Sequence, residues 1–355
     1  MATILFGGTF DPPHNGHLRI AKAASDELGA NVVFIPAKTP RWKTTEESQD
    51  DRLSMLKIAL KEADNDHFAI DEYELKKDDG ISYTIDTVRH FREAYPNESF
   101  YFLMGGDEAN RFHAWKDAEE LSKICQIVYC SRPDITLDKE SIDRFNMMGL
   151  EYNESGDVSS SDIRTLKSVD APKSVLNYIE ENKLYYVRKI ESCIGEKRMR
   201  HSLSVAHLAE KIIDANKLNS LKGKGYIAGA IHDLAKYLSH EEGVKAAKSE
   251  FPDVDFSQIP DFAIHQYAGV ALAREMFEIN DRDILEAVSC HCLAKKEMTP
   301  LSKILYCSDK IEPTRGYDSS GYIAACIDDY RKGYEIVLQA NEDFLKEHGK
   351  KVIRS

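Results

Sequence analysis

The chain has 355 residues, too many for one ordinary domain and enough for two. Its formal net charge of -13 argues against a nucleic-acid surface, which is usually basic, but leaves room for anionic small substrates held by local cations or metals. No run approaches the roughly 18 apolar residues of a membrane helix. The opening MATILFGG lacks the basic segment of an export signal, and seven scattered cysteines form no CxxC pair, so the expectation is a cytoplasmic chain with reduced thiols.

The first half alternates between two periods. ATILF reads as a strand and is followed by a helix near Asn15–Leu28, then by the strand NVVFIP and a helix near Asp51–Glu62. HFAIDEYEL alternates apolar and polar residues and predicts a strand. A helix near Thr84–Ala94, the strand SFYFLMGG, a helix near Ala114–Lys123 and the strand QIVYC come next, and VLNYIEEN forms a last helix. This order predicts an α/β doubly wound parallel sheet with helices on both faces. Such sheets bind ligands beyond the carboxyl ends of their strands. From about Val187 onward the periodicity is almost purely helical, in RHSLSVAHLAEKIIDA, GYIAGAIHDLAKYL, YAGVALAREMF, ILEAVSCHC and LSKILYCSDKI. The change places a boundary near Tyr186–Glu191, giving an α/β domain over 1–187 and an all-α domain over 188–355. No internal repeat is visible.

GTFDPPHNGHLRIAK follows the first strand. Gly7 and Gly8 let the backbone turn and approach a ligand, Thr9 and Phe10 continue the loop, and two prolines stiffen it. His14 and His17 then stand at the start of a helix, where free amides and the macrodipole favour anions. Two imidazoles there can donate hydrogen bonds to phosphate oxygens. The pattern is neither GxGxxG nor a Walker A loop. Further on, the hydroxyl run of VSSSDIR leads into a helix and reads as a second phosphate cradle, with Ser160 and Ser161 in it and Arg164 able to fork onto outer phosphates. Such a run is also a common helix N-cap. Trp115 is a platform for stacking on a flat ring or, nearly as readily, a core tryptophan.

GGTFDPPHNGH resembles the signature of the HxGH nucleotidyltransferase superfamily, and within it the bacterial nicotinate-mononucleotide adenylyltransferases. SYTIDTV looks like that family's mononucleotide-binding segment, GGDEANRFHAWKD is similar to its strand-end segment with an aromatic beside the pyridine ring, and VSSSDIR resembles its ISSTxIR motif. The likeness covers nearly all of residues 1–187. It implies a Rossmann-like nucleotidyltransferase fold and attack of a mononucleotide phosphate on the α-phosphorus of ATP, releasing pyrophosphate. His14 and His17 would stabilise the α-phosphoryl group, with Mg2+ neutralising the triphosphate. Gly8, Thr9, Phe10, Lys43, Thr84, Asp86, Asp107, Trp115, Ser160, Ser161 and Arg164 would bind ATP or the mononucleotide. No general base is assigned. TPRWK departs from the family's usual segment after the second strand, although Lys43 keeps the charge. The likeness favours nicotinate over nicotinamide mononucleotide; another acceptor, such as phosphopantetheine or a glycerol phosphate, fits SYTIDTV and the Trp115 segment less well.

The helical half gathers His201, the pair His232 and Asp233, His265, His291 and Asp309. An apolar helix has little reason to bury an adjacent His–Asp pair unless a metal compensates both. Imidazole and carboxylate together suit iron, manganese or zinc, and this set is large enough for two ions. The H…HD…D order resembles the HD-domain phosphohydrolases. RMRHSLSVA, AIHDLAK, AIHQYAG and ILYCSDKIEPTR resemble the branch that hydrolyses diadenosine tetraphosphate symmetrically to two ADP with two divalent metals, thought to be iron. That resemblance implies one metal on His201, His232, Asp233 and Asp309, and a second on His265 and His291 with Asp233 as the shared catalytic bridge. CHCLAKK departs from the hydroxyl-bearing residues and glycine usual after this histidine. Cys290 and Cys292, one residue either side of His291 on a helix, are expected to point away from it. The whole chain thus reads as a bifunctional enzyme acting on ATP, nicotinate mononucleotide and a dinucleoside polyphosphate, with no nucleic-acid or membrane partner and with homo-oligomerisation left open. The alternative is an active adenylyltransferase carrying a nucleotide-sensing, non-catalytic HD module.

Overall fold

The structure is a computed structural model that describes residues 2–40, 44–77, 83–131, 135–152 and 158–348. Lys43 and Ser82, both in segments expected to touch nucleotide, lie outside the described residues. The chain forms two compact units, Met1–Ile163 with Asp170–Asn182, and Arg164–Val169 with Lys183–Ser355.

The first unit runs β1 (Ala2–Gly8), α1 (Asn15–Leu28), β2 (Asn31–Pro36), α2 (Gln49–Ala63), β3 (Phe68–Ile70), α3 (Thr84–Ala94), β4 (Ser99–Gly105), α4 (Gly106–Asn110), α5 (Ala118–Ile124), β5 (Gln126–Cys130), α6 (Lys139–Arg144), β6 (Met148–Gly149), α7 (Ser160–Arg164) and α8 (Lys173–Glu181). The six strands form one sheet in the order β3-β2-β1-β4-β5-β6, and every pairing is parallel. Alternating side chains feed two cores. Ile4 and Phe6 of β1 join Val32, Phe34, Leu103 and Val128 under Ala21 and Ala24 of α1 and Leu56 of α2. Leu5 faces the other way, with Phe102, Met104 and Ile127, against Ile85 and Val88 of α3 and Leu121 of α5. The winding reverses between β1 and β4, so the crevice beyond their carboxyl ends, at Gly7–Gly8 and Gly105–Gly106, is where a ligand fits this topology.

Two expectations for this half fail locally. The strand predicted over HFAIDEYEL stops at Ile70. Beyond it, the Asp71 carboxylate accepts the Tyr73 N–H at 2.7 Å, a side-chain-closed turn that ends the extended run. The helix expected near Ala114–Lys123 is Ala118–Ile124, because Asp117 sits in the left-handed region at φ 50° just before it.

In the second unit, α9 (Tyr185–Ala215) bends at Gly195 and is followed by α10 (Lys224–Ile231), α11 (His240–Glu250), α12 (Asp261–Phe277), α13 (Arg282–Val288), α14 (Pro300–Ile311), α15 (Ser320–Asp328) and α16 (Tyr330–Glu347). No strand occurs among its described residues, and no described helix is long and apolar enough to cross a membrane. At Gly229 a Cβ would come within 2.4 Å of the Ala206 Cα, so α10 lies backbone against backbone on α9. That contact brings the end of α10 up to His201. The helix expected throughout GYIAGAIHDLAKYL ends at Ile231, where the chain tightens: Leu234 N–H bonds Ile231 C=O at 3.0 Å and Lys236 N–H bonds Asp233 C=O at 2.8 Å. Likewise α13 ends at Val288, three residues before His291.

Candidate functional site

In the first unit, His14 is the N-cap of α1, with extended backbone angles. His17 Nδ1 accepts the His14 backbone N–H at 3.2 Å. With that lone pair engaged, the neutral ring carries its proton on Nε2 and presents it as a donor. The two imidazoles lie 3.7 Å apart, centroid to centroid, and His14 is buried. The loop before them is held from beneath. Phe10, buried and at φ 50°, sets its ring edge-on to His17 at 5.1 Å. A Cβ on Gly8 would meet that ring at 2.7 Å, which is why this position takes glycine. The Arg52 guanidinium, 1% exposed, donates to the carbonyls of Thr9 at 2.7 Å, Ala37 at 2.9 Å and Lys38 at 3.2 Å. It staples the turn after β1 to the turn after β2. Asn15 and Arg19 both bond the Asp170 carboxylate, at 2.8 and 2.9 Å, fixing the first turn of α1.

The hydroxyl run divides its work. Ser159 and Asp162 cap α7 reciprocally: Ser159 N–H reaches the Asp162 carboxylate at 2.9 Å and Asp162 N–H reaches Ser159 Oγ at 3.1 Å. Ser160 Oγ donates to Pro12 C=O at 2.8 Å, so this segment touches the histidine loop. Ser161 is exposed, while Arg164, half-buried, ends α7 and falls in the second compact unit. Thr84 opens α3 and Asp86 follows two residues on, ringed by Lys116 at 3.4 Å, Arg89 at 3.5 Å and Lys77 at 3.9 Å. Asp107 is exposed in the first turn of α4. Trp115 leans on Phe112 and Phe102, with centroids 5.5 and 5.8 Å away, and its buried indole N–H has no acceptor among the described residues. Arg52 escaped the sequence reading, because a lone arginine in an amphipathic helix carries no signal of burial.

In the second unit the six predicted ligands converge. The Asp233 carboxylate faces both ways. Its Oδ1 lies 3.0 Å from His265 Nε2 and 3.8 Å from His291 Nε2, and its Oδ2 lies 3.4 Å from His232 Nε2 and 3.9 Å from His201 Nε2. Asp309 Oδ1 is 3.2 Å from His201 Nε2 and 3.8 Å from His232 Nε2. The far nitrogens are anchored: His201 Nδ1 to Glu312 Oε1 at 2.8 Å, His232 Nδ1 to Gly229 C=O at 2.7 Å and His291 Nδ1 to Val288 C=O at 2.8 Å. Each anchor is an oxygen that can accept from Nδ1, which turns Nε2 inward, the arrangement a metal ligand needs. His201 Nε2 and His232 Nε2 are buried and make no aligned hydrogen bond. Orphaned imidazole nitrogens facing carboxylates fit a divalent cation.

The electrostatics of the carboxylates, His265 and His291 agree, whereas at His232 burial is outweighed by Asp233 and Asp309, which raise it. Burial alone would raise the Asp233 carboxyl, but His232 and the hydrogen bonds of His265 and His291 hold it well below the usual carboxylate range. Asp309 is likewise ionised against its burial, by Lys310, His201 and Arg315. Burial pushes His291 down to about 4 and lowers His265. Ionised carboxylates and neutral imidazoles are the ligating forms. Around the rim stand four cations paired with the candidate ligands: Arg198 is 2.9 Å from Asp233, Lys236 is 3.3 Å from His265, and Lys310 and Arg315 lie 2.7 and 2.5 Å from Asp309.

One expectation here is overturned. Cys292 does not point away from His291: its Sγ lies 3.3 Å from both His291 Nε2 and His265 Nε2. The helical-face argument fails because α13 has already ended. Cys290, by contrast, does turn back, its thiol donating to Glu286 C=O at 3.1 Å. Glu312, missed from sequence, could have been found as a carboxylate three residues beyond Asp309, on the same helical side.

Known proteins fall in line with both halves. Residues 5–166 match the family model described as cytidylyltransferase-like, and residues 198–314 match the HD domain. A protein of Mycoplasma genitalium named "Probable nicotinate-nucleotide adenylyltransferase/Ap4A hydrolase" is 31% identical over 97% of this chain and 99% of its own length. Its counterpart in Mycoplasma pneumoniae, with the same name, is 31% identical over 95% of this chain and 98% of its own. A crystal structure titled as a predicted HD superfamily hydrolase involved in NAD metabolism, from Clostridium acetobutylicum, shares 29% identity over 47% of this chain and 90% of that one, with a TM-score of 0.43. The fold is that of a Rossmann-like nucleotidyltransferase followed by a helical HD domain. The chain belongs to the family of nicotinate-nucleotide adenylyltransferase/Ap4A hydrolases.

Proposed function

We propose that the chain is a bifunctional enzyme. Its α/β domain, over 1–187, transfers AMP from ATP to nicotinate mononucleotide, giving the deamido-NAD dinucleotide and pyrophosphate. Its HD domain, over 188–355, cleaves diadenosine tetraphosphate symmetrically into two ADP.

The first reading is carried by the paired imidazoles at the start of α1, beyond the carboxyl end of β1. ATP enters as its Mg2+ complex. The mononucleotide phosphate attacks the α-phosphorus, the bond to the pyrophosphate oxygen breaks, and the Nε2–H of His17, beside His14, stabilises charge on the α-phosphoryl oxygens. Such a step depends on positioning and charge more than on covalent help. Trp115, with an unanswered indole N–H beside its ring, fits a flat acceptor base, and Ser160 ties the α7 cap to the same loop.

The second reading is carried by the two-faced carboxylate of Asp233 among four imidazoles, three of them buried. His201, His232, Asp233 and Asp309 would hold one divalent ion, and His265, His291 and Asp233 the other, with iron favoured. Bound there, such ions supply Lewis acidity toward a phosphoryl oxygen. Arg198, Lys236, Lys310 and Arg315 form the cationic rim that receives a polyphosphate.

The test is product identification by mass with the full chain. ATP and nicotinate mononucleotide should give a dinucleotide and pyrophosphate, faster than with nicotinamide mononucleotide. Diadenosine tetraphosphate with Fe2+ or Mn2+ should give ADP alone. Release of ATP and AMP would refute symmetric cleavage, and no turnover of either substrate would refute the corresponding half.

A further inference from the structure

We propose that Cys292 is a ligand of the ion held by His265 and His291, so that this half of the HD centre has two imidazoles, one carboxylate oxygen and one thiolate and selects a thiophilic divalent ion over manganese or magnesium. This rests on the reading of the cluster as a two-metal centre. The donor geometry carries it. Cys292 Sγ lies 3.3 Å from each of His265 Nε2 and His291 Nε2, those nitrogens are 3.1 Å apart, and His265 Nε2 is 3.0 Å from Asp233 Oδ1. In a tetrahedral sphere with metal–nitrogen bonds of about 2.0 Å and metal–sulfur bonds of about 2.3 Å, neighbouring donors lie roughly 3.3–3.6 Å apart. The three edges of the His265–His291–Cys292 face match that within a few tenths of an ångström.

The sulfur is also aimed. Past the end of α13 the chain is caught by the buried Gln266, whose Oε1 accepts the N–H groups of Cys292 at 3.0 Å and Leu293 at 3.1 Å. Gln266 follows His265 on α12, so one helix supplies a ligand and the clamp that presents the next. On coordination the S–H bond breaks, the proton goes to solvent and the sulfur lone pair forms the bond to the metal. Soft thiolate biases a site toward zinc or ferrous ion and widens their advantage over manganese beyond that of an imidazole and carboxylate site.

The test loads the full chain with Co2+ alone and records its absorption. Two bound equivalents with a thiolate-to-cobalt charge-transfer band, lost in Cys292→Ser and kept in Cys290→Ser, are expected. Zn2+ affinity of the second equivalent should fall at least about tenfold in Cys292→Ser, the low end of what even outer partners contribute. Should the serine variant misfold, wild-type protein answers the question: bound Zn2+ must protect Cys292 from alkylation, read by peptide mass. Two equivalents without a sulfur band, a band that survives in Cys292→Ser, or unprotected Cys292 would overturn the proposal and leave the two-metal reading standing. Failure to bind cobalt would overturn both.

Discussion

The two candidate centres of this chain, both proposed to receive polyphosphate, are built by opposite constructions. The first is contiguous: a strand, a turn and a helix start bring His14 and His17 together within a few residues, with the His14 backbone N–H bonded to His17 Nδ1. The second is dispersed: its ligands come from α9, the end of α10, α12, the end of α13 and α14, and only tertiary packing assembles them. A contiguous site is specified by local conformation and inherits the order of its sheet. A dispersed site exists only when the helices are correctly docked, so its function and its fold are harder to separate.

That contrast can be broken at Asp233 first. Asp233→Asn should lower diadenosine tetraphosphate hydrolysis at least about 10³-fold, as loss of a central member of a cooperating set does, while adenylyl transfer is unchanged; loss of both activities would mean the centres are not independent. His17→Ala should lower kcat for adenylyl transfer about 10²–10³-fold, the effect of deleting one preorganised donor, with hydrolysis untouched in the same preparation. Glu312→Gln tests the dispersed construction one step out: weaker anchoring of His201 Nδ1 should reduce metal affinity about 10- to 100-fold by calorimetric titration, without loss of the helical circular dichroism signal.

The smallest effect concerns helix docking. The Asp281 carboxylate caps α13, accepting from Asp283 N–H at 3.0 Å and Ile284 N–H at 3.2 Å. Burial pushes this carboxyl up, but Lys224 and those amides outweigh it, and it lies below its ordinary value. A depressed carboxyl stabilises the fold above the ordinary carboxylate range, and the benefit fades as pH falls through the folded-state value. Asp281→Ala should therefore cost about 1 kcal/mol at neutral pH, and denaturant titrations should show the gap narrowing below about pH 4.

How far the sequence reached follows the same division. The helix from Asn15 to Leu28 and the strands NVVFIP and QIVYC were legible to the residue, because apolar period and capping agree there. The six candidate HD ligands were grouped by their order along the chain, and the structure brings their side chains together. What was not legible depended on where helices stop. GYIAGAIHDLAKYL has helical period throughout, yet the chain tightens after Ile231, and His232 and Asp233 both reach the same side-chain cluster. The same event after Val288 swings Cys292 inward, against a prediction made for a continuing helix. HFAIDEYEL has the alternation of a strand, but β3 has one neighbour only and a local Asx turn competes successfully. Arg52 shows the remaining gap, since which polar side chain fills a buried carbonyl nest is decided by three dimensions.

The turn at Phe10 and Arg52 has a thermodynamic consequence for ligand capture. An aromatic wedge below and a guanidinium bridge across three carbonyls leave the segment around Thr9 little freedom to lose. The entropy of ordering it is surrendered when the sheet forms rather than when ATP arrives. With the proposed nucleotide site at this loop, association would be that of a rigid receptor, and loosening the wedge would show itself as slower, entropically penalised capture before any change in the chemical step.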